Sequence, residues 1–548
     1  MRKLSNLYYP TLVFALGAII FVLSLDHYLD GNIVIYPLHA FEFIASGELT
    51  FEIMTEDKIQ TYYPNFHSFL YVIYISIFYK ILSFFGQFDP FSMNLIIKIA
   101  NLILIMSTGY LFSLFFNASK VRKAYLLLAY CLIPSSILGF ISVVEDQVLT
   151  PFFLLLFFYS IDKEKSLLWT ILAGSMAILS KESTGSLGLA LILFGEVFIL
   201  QRISLTDSVK IFLSSFSLAI LIYSTLCLAF SLDPFFIIYA TAGHLAGGGF
   251  QARNILLQSR YIFQAFTPFI LIFLPLFLSK YTRHDKRLMF SLFLFLSIIS
   301  VNILTGYANI RYLSAFIPII LVNILRSDPS QLFYNQITTT LAILSSITFV
   351  YIVGDPFLYI SNLNEKSMNQ IFYIALIFLG FCIFSIFLSK LNDFKSFHFL
   401  AVSSSIIFIN MSLKDYQIGY SHGFQQIKPI INMINKDEYI FSDLPSPEFY
   451  FRNRVIHITS PTSHFFSKNA WGGDSYDIRI DIDESRKIQD QFRGDFINRK
   501  MENLSKFYVW TYNGSQAEAF FRSNADCSKL NKITVGNSIN HLLMHCEK

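Results

Sequence analysis

Charge is scarce in this chain of 548 residues, because Asp, Glu, Lys and Arg together make up 14% of it, against about 25% in a typical globular protein. The formal net charge is only +4, and the chain contains no run of basic residues of the kind that binds nucleic acid, which excludes that class of function. The five cysteines form neither a CxxC pair nor a Cys/His cluster, so they indicate neither a structural zinc site nor a disulfide scaffold.

Apolar residues are correspondingly abundant: 54% of the chain is hydrophobic, 17% is aromatic, and the mean hydropathy is +0.53. A soluble protein of this size has too little polar surface to cover so much apolar surface. We therefore predict an α-helical, multi-pass membrane protein of about thirteen transmembrane helices. The predicted spans are centred on residues 8–25, 92–117, 124–140, 148–161, 166–180, 186–200, 211–231, 259–279, 288–304, 312–326, 335–353, 370–390 and 397–412.

The density of charge divides the chain in two. Residues 413–548 carry 33 charged residues, whereas the much longer segment 1–412 carries 45. We therefore predict a membrane domain over 1–412, with a first outer loop at 26–91, and a small soluble α/β domain over 413–548. In that soluble part, the spacing of Ile residues over 423–435 predicts a helix, and alternating apolar residues predict four strands, at Tyr439–Phe441, Arg454–Ile458, Phe507–Tyr512 and His541–Met544.

The distribution of Lys and Arg predicts the orientation. With an uncleaved signal-anchor at 8–25 and the N-terminus inside, sixteen Lys and Arg residues lie in cytoplasmic segments, and the positive-inside rule is satisfied only if the apolar segment 67–86 does not cross. That segment is therefore predicted to lie along the interface or to re-enter, and the soluble domain to face outward. Cys527 and Cys546, near the C-terminus, are able to pair if that end is extracytoplasmic.

Two pairs of acidic residues lie at the predicted outer face. Asp26 and Asp30 follow the first span four residues apart, and a carboxylate shielded from bulk water there can act as a general base. The alternative is a solvated turn, since Asp30 precedes Gly31. Glu145 and Asp146 begin an apolar helix, where they either orient an acceptor or simply interact with the helix dipole.

The predicted outer loops of the membrane domain hold few positive charges: Lys58, Lys181, Arg253, Arg311 and Lys366, besides Lys80 in the apolar segment 67–86. Lys181 and Arg311 lie at helix ends, where they either bind an anionic headgroup or anchor the helices in the interface. We also take Lys58 and Tyr63, in the polar part of the first outer loop, as candidate phosphate contacts. His244 lies in an outer loop beside three glycines, but a lone His is more often a hydrogen-bonded surface residue than a metal ligand.

An ordered set of short motifs in the chain resembles the polytopic GT-C glycosyltransferases of the protein mannosyltransferase and aminoarabinose-transferase type, over roughly residues 8–330. The resemblance rests on five elements in chain order. These are Asp30 with Tyr36, Ala40 and Gly47; Tyr63-Pro64-Asn65 leading to Lys80 and Gly86; Ser142, Asp146 and Leu149; Gly174, Leu179, Lys181 and Gly185; and Arg311-Tyr312-Leu313 with Pro318. The chain departs from the family pattern at Asn65, where members have a second Pro, and at Gly31, where an acidic residue is common.

The resemblance implies an enzyme that transfers a hexosyl or pentosyl group from a polyprenyl-phosphate donor to an acceptor hydroxyl on a glycan, lipid or protein. It implies that Lys181 and Arg311 neutralise the leaving phosphate, that Asp30 or Asp26 is the base, and that Asp146 or Glu145 orients the acceptor or the base. Attack from the opposite face in a single displacement inverts the anomeric centre. Some relatives hold a divalent metal with a first-loop carboxylate and a later His, matched here by Glu56 or Asp57 with His244, and the metal requirement stays open.

Three alternative functions stay open at this point. The segment 470–477 has a faint similarity to the oligosaccharyltransferase signature, which favours an enzyme that moves a preassembled glycan. A transporter of a lipid-linked substrate requires ionisable residues near helix centres, whereas the acidic residues of this chain cluster at one face. A non-catalytic homologue would tolerate loss of the carboxylates.

Overall fold

The computed structural model describes residues 14–22, 27–29, 35–49, 51–55, 58–62, 69–85, 90–141, 145–232, 234–235, 285–305, 315–326, 421–423, 430–435, 437–442, 446–451, 454–458, 494–512, 514–535 and 539–548. These residues fall into two compact units. The first contains the described parts of 1–24, 99–224 and 249–414, and the second contains those of 25–98, 225–248 and 415–548.

The first unit is helical. Its helices, two of which continue into the second unit at one end, are α1 (14–22), α4 (Pro90–Ser113), α5 (Lys120–Cys131), α6 (Pro134–Ile141), α7 (Glu145–Asp162), α8 (Leu167–Ser180), α9 (Glu182–Gly195), α10 (Leu205–Ala229), α11 (Lys286–Thr305) and α12 (Ile317–Arg326). In the described part of the chain, three helical segments are long and apolar enough to cross a membrane: Ser92–Ser113, Glu182–Leu200 and Leu205–Ala229.

These helices coincide with the predicted spans between 8 and 326 that the structure describes. The span predicted at 124–140 is interrupted, because α5 ends at Cys131 and α6 begins at Pro134, and proline is best tolerated in the first turn of a helix. The spans predicted at 259–279, 335–353, 370–390 and 397–412 lie outside the described residues. The total of about thirteen helices therefore stays a prediction.

A buried ionic cluster joins the ends of several helices of the first unit. We define the ionic cluster as Asp162, Glu196, Arg202, Arg287 and Arg326. Asp162, whose side chain is 1% exposed, accepts hydrogen bonds from both Arg202 and Arg326, the latter at 2.7 Å. The fully buried Glu196 accepts two hydrogen bonds from Arg202, one of them at 2.7 Å. Arg287 donates to the carbonyl oxygen of Arg326 at 3.2 Å.

Aromatic rings lie beneath this cluster. The guanidinium of Arg202 lies 5.5 Å from the ring centre of Phe158, and that of Arg326 lies 6.0 Å from the ring centre of Phe115. Phe115 and Phe158 stack on each other at 5.6 Å. The rings exclude water, which strengthens the ion pairs, and they offer cation–π contacts of about 0.5–2 kcal/mol each.

The second unit begins with the elements that follow the first span. They are β1 (His27–Leu29), α2 (Ile35–Ser46), the hairpin of β2 (Phe51–Thr55) and β3 (Lys58–Tyr62), and α3 (Phe69–Ser83). Helix α3 coincides with the apolar segment predicted not to cross, and its position relative to a membrane stays a prediction. Strand β1 pairs antiparallel with β4 (Ser421–Gly423). This pairing joins the residues just after the first span to the beginning of the C-terminal segment.

The rest of the second unit is a mixed sheet flanked by helices. Its elements are β5 (Tyr439–Ser442), α13 (Ser446–Phe451), β6 (Val455–His457), α14 (Gly494–Met501), β7 (Lys506–Tyr512), α15 (Gln516–Asn524), β8 (Asp526–Val535) and β9 (Ile539–Glu547). The strand order is β6-β5-β7-β9-β8, with the first three parallel. The four strands predicted in this region are present, and β8, whose sequence is mostly polar, is an additional strand.

Cys527 and Cys546 form a disulfide between the neighbouring strands β8 and β9, where they are directly opposite each other. Cys546 is buried against Phe507 and Phe521 in the core of the sheet. The pairing that the sequence left open is therefore present in the structure.

We expect mass spectrometry of the unreduced, denatured protein to find the peptides of Cys527 and Cys546 linked, and a thiol-specific reagent to label both only after reduction. Cys131 and Cys227, which are free in the structure, serve as internal controls and should be labelled without reductant. Labelling of Cys527 and Cys546 before reduction would contradict the disulfide.

Replacing Asp162 with Asn should destabilise the first unit by roughly 3 kcal/mol, because it removes the buried charge that two half-buried guanidinium groups share. The measurement is the midpoint of thermal unfolding of the purified protein in detergent. Asp207→Asn is the matched control, because Asp207 lies on an exposed turn of α10 and contacts Ser204. Equal midpoints for the two variants would show that the ionic cluster does not stabilise the unit.

Candidate functional site

The predicted phosphate-binding residue Lys181 lies in an unusually short turn. Helix α8 ends at Ser180 and α9 begins at Glu182, so Lys181 alone connects them, in an extended conformation with φ −164°. Its carbonyl oxygen accepts a hydrogen bond of 2.6 Å from the backbone N–H of Gly185. The side chain of Lys181 is half-buried. The position of Lys181 is thus determined by two helices at once.

Glycine permits this turn. A Cβ on Gly185 would lie 2.1 Å from the carbonyl oxygen of Ala177 on α8, far inside van der Waals contact. A Cβ on Gly174 would lie 2.5 Å from the hydroxyl of Ser215 on α10. These are the two glycines of the motif element formed by Gly174, Leu179, Lys181 and Gly185, and they allow α9 and α10 to pack directly on α8.

The Lys181 turn lies beside the first turns of α7. The hydroxyls of Ser180 and Thr150 are 3.0 Å apart, both buried, and form a hydrogen bond between α8 and α7. Helix α7 begins at Glu145, so Asp146 is one turn before Thr150, about 6 Å along the helix axis. The structure therefore brings the backbone of the Lys181 turn and the acidic N-terminus of α7 to the same end of the first unit.

That end lies opposite the ionic cluster. Helix α7 runs from Glu145, near the Lys181 turn, to Asp162 in the cluster, and α9 runs from Glu182 to the Glu196 region of the cluster. The predicted topology assigns these two ends to opposite faces of the membrane. Helix α12, which follows the Arg311 segment, ends in the same cluster at Arg326.

The first outer loop places the other motif residues in a packed helix. In α2, Tyr36 and Ala40 are buried, and the ring of Tyr36 meets that of Tyr71 on α3 edge-on at 5.5 Å. Gly47 ends α2 with φ +82°, a backbone conformation that favours glycine. The Tyr…Ala…Gly motif therefore defines where α2 packs and where it stops.

His39, on the same helix, is buried and donates from Nδ1 to the carbonyl oxygen of Leu49 at 2.7 Å. Burial lowers the pKa of His39 to about 3, although the hydrogen bond to Leu49 opposes this shift. The imidazole is therefore neutral at physiological pH. Its hydrogen bond joins α2 to the segment that follows the helix. Because the ring is neutral, His39 does not offer a positive charge to a phosphate.

Sequence reasoning missed one candidate residue, Lys98 on α4. Lys98 is fully buried, and Asn94 and Asn101, which lie on the same face of the helix, are buried with it. Asn101 donates to the carbonyl oxygen of Gly139 at 3.0 Å. An ionisable side chain at this depth in an apolar helix costs roughly 2.5–3.5 kcal/mol on insertion scales and usually has a functional role. The spacing of Asn94, Lys98 and Asn101 is the signal that predicts this polar face.

Several predicted site residues lie outside the described part of the chain: Asp26, Asp30, Tyr63, His244 and Arg311. Lys58 begins strand β3, opposite Thr55 in the hairpin. Glu56 and Asp57, the carboxylates that the resemblance offers as metal ligands, also lie outside the described part of the chain. Among the residues that the structure does describe, no group of three or more His, Cys, Asp or Glu side chains is arranged to hold a metal ion.

The architecture is that of a mostly helical membrane protein, and comparison with solved structures agrees. The chain has the fold of ArnT from Cupriavidus metallidurans, at a TM-score of 0.59 and 15% identity to the apo state, covering 98% of this chain and 97% of that one. The structure of the same protein bound to undecaprenyl phosphate gives a TM-score of 0.59 and 14% identity, with the same coverage. No protein-family model and no curated protein matches the chain. The comparison shows the fold that this chain shares with ArnT, which agrees with the predicted resemblance to the aminoarabinose-transferase type.

Gly185→Ala should destabilise the protein by about 1–3 kcal/mol, because the added methyl group meets backbone that does not yield easily. The measurement is the midpoint of thermal unfolding in detergent. Gly17→Ala is the matched control: the nearest atom to its Cβ is 3.9 Å away, and Ala favours a helix. Equal stability of the two variants would contradict the close approach of α8 and α9.

Proposed function

We propose that this chain is an integral-membrane glycosyltransferase that moves a hexosyl or pentosyl group from a polyprenyl-phosphate donor to an acceptor hydroxyl, with inversion. The observation that carries the proposal is the Lys181 turn, which is held against the first turns of α7, where Glu145 and Asp146 lie. A cation and two carboxylates at one end of a helical unit suit a reaction in which a phosphate leaves and a hydroxyl loses a proton. The fold shared with ArnT, one structure of which contains undecaprenyl phosphate, supports the same assignment.

In this proposal Lys181 and Arg311 bind the lipid phosphate. The bond between the anomeric carbon and the phosphate oxygen breaks, so negative charge grows on the phosphate in the transition state. In this role the Lys181 ammonium meets the growing charge, and the guanidinium of Arg311 offers paired donors to the phosphate oxygens. Lys58 and Tyr63 are additional phosphate contacts from the first outer loop.

The acceptor needs a base. We assign Asp30 to this role, with Asp26 as the alternative, because both flank strand β1 at the end of the first span. The carboxylate takes the proton of the acceptor hydroxyl as its oxygen attacks the anomeric carbon from the face opposite the phosphate. Asp146 or Glu145 orients the acceptor or the base. A lipid-phosphate donor requires no nucleotide-binding fold.

We place the reaction on the outer face of the cytoplasmic membrane, with the N-terminus inside. The pairing of β1 with β4 supports this orientation, because it requires the first outer loop and the C-terminal segment to share one compartment. The disulfide between Cys527 and Cys546 supports an oxidising compartment for that segment. The basic loops of the opposite end are then cytoplasmic, as the positive-inside rule requires.

Asp30→Asn and Asp146→Asn, made separately, should each abolish glycan transfer while the protein still inserts at the native level. Lys181→Met should lower transfer by about 10²–10³-fold, since it removes one donor to the developing charge, and Lys181→Arg should retain more activity. Transfer is measured as the mass profile of surface glycans in cells that carry each variant in place of the native chain.

The matched controls are Asp207→Asn and Lys210→Met on α10, which remove the same charges at the opposite end of the helices. Both controls should retain native transfer. Unchanged transfer by Asp30→Asn and Asp146→Asn would remove the assigned roles of these carboxylates. Equal losses by Lys181→Met and Lys210→Met would show that net charge, and not the Lys181 turn, determines activity.

A further inference from the structure

The end of the helices that holds the ionic cluster carries more positive charge than the cluster uses. Its described loops and helix ends contain ten Lys or Arg residues: Lys120, Arg122, Lys123, Lys163, Lys165, Arg202, Lys210, Lys286, Arg287 and Arg326. They contain five acidic residues: Asp162, Glu164, Glu196, Asp207 and Asp285. Asp162 and Glu196 are buried and already accept hydrogen bonds from arginine. The Lys residues that remain at this end of the helices are therefore mostly on the protein surface.

Three of the surplus cations lie around the cluster, and we name Lys163, Lys165 and Lys286 the basic rim. The ammonium of Lys163 is 3.5 Å from Asp162, and its side chain is 35% exposed. Lys286 is exposed and donates to Gln201, the neighbour of Arg202, at 2.6 Å. The rim is thus attached to the cluster from two sides, by the α7–α8 turn and by the start of α11.

The α7–α8 turn holds the rim lysines in place. Glu164 adopts the left-handed conformation, with φ 48°, and the N–H of Lys165 donates to the carbonyl oxygen of Ser160 at 2.8 Å. This is the hydrogen-bonding pattern of a helix C-cap, although a non-glycine residue in that conformation costs roughly 1–2 kcal/mol. The turn therefore presents Lys163 and Lys165 from a defined backbone.

Exposed apolar side chains follow the rim directly. Leu167, Leu168 and Trp169, in the first turn of α8, are 54%, 65% and 61% exposed. Tryptophan and leucine in this position, next to lysines, are typical of the boundary between the acyl chains and the headgroups of a membrane. The lysines match the charged headgroup of a phospholipid, and the neighbouring apolar side chains match its acyl chains.

We infer that the basic rim, together with the exposed first turn of α8, is a binding site for an anionic phospholipid of the membrane leaflet on that side. The phosphate of the headgroup contacts the lysines, and the acyl chains lie along Leu168 and Trp169. Basic pockets between membrane helices bind anionic headgroups in this way, with about 1 kcal/mol from each Lys or Arg near the surface. The site is separate from the Lys181 turn and does not depend on the proposed reaction.

The test is native mass spectrometry of the full chain in detergent, with added phosphatidylglycerol or with phosphatidylcholine of the same acyl chains. The native protein should retain phosphatidylglycerol and lose phosphatidylcholine. The triple variant K163Q/K165Q/K286Q should bind phosphatidylglycerol at least about tenfold more weakly, whereas K163R/K165R/K286R should bind it like the native chain.

The matched control is K120Q/K123Q/K210Q, which removes the same charge from the same end of the helices, on α5 and α10, at positions that do not belong to the rim, and it should leave binding within about twofold of native. Equal weakening by this control would overturn the site in favour of general surface charge. Equal retention of the two phospholipids by the native chain would also overturn the proposed site. This comparison needs no variant, so it remains decisive if the triple variant does not fold.

Discussion

A buried carboxylate in a membrane protein must find a cation, and in the first unit this requirement determines how several helices end. Asp162 closes α7, Arg202 follows α9, and Arg326 closes α12, and these three side chains meet in one ion-pair network. Leaving any one of them unpaired in low dielectric would cost several kcal/mol. The helices are therefore aligned at this end by charge, while phenylalanine rings beneath the network exclude water.

Alignment at one end has consequences at the other. With the far ends of α7 and α9 joined through Asp162, Arg202 and Glu196, the near ends are joined by the Thr150–Ser180 hydrogen bond and the one-residue turn at Lys181. Glycine at 185 permits the close contact that makes the turn so short. The backbone of Lys181 is thereby fixed from two sides, which suits the role proposed for this residue at a leaving phosphate. The same helices, α7 and α9, therefore connect the ionic cluster at one end with the proposed active site at the other.

Hydropathy predicted the membrane class and the helix positions well, because length and apolarity are local properties of the chain. The short motifs singled out Gly174, Lys181 and Gly185, and the structure supplies the reason in the close approach of Gly185 to α8 and of Gly174 to α10. Strand β8 was missed because its residues are mostly polar, and its partner β9 determines its conformation. Lys98 and the ionic cluster were missed because the sequence shows which residues are charged but does not show which of them become buried together.

The most direct measurement is a structure of the full chain with a polyprenyl monophosphate bound. We expect the phosphate to lie within hydrogen-bonding distance of the Lys181 ammonium, at the end of α7 that begins with Glu145 and Asp146. A phosphate bound at a place from which Lys181 and these carboxylates are both out of reach would contradict it.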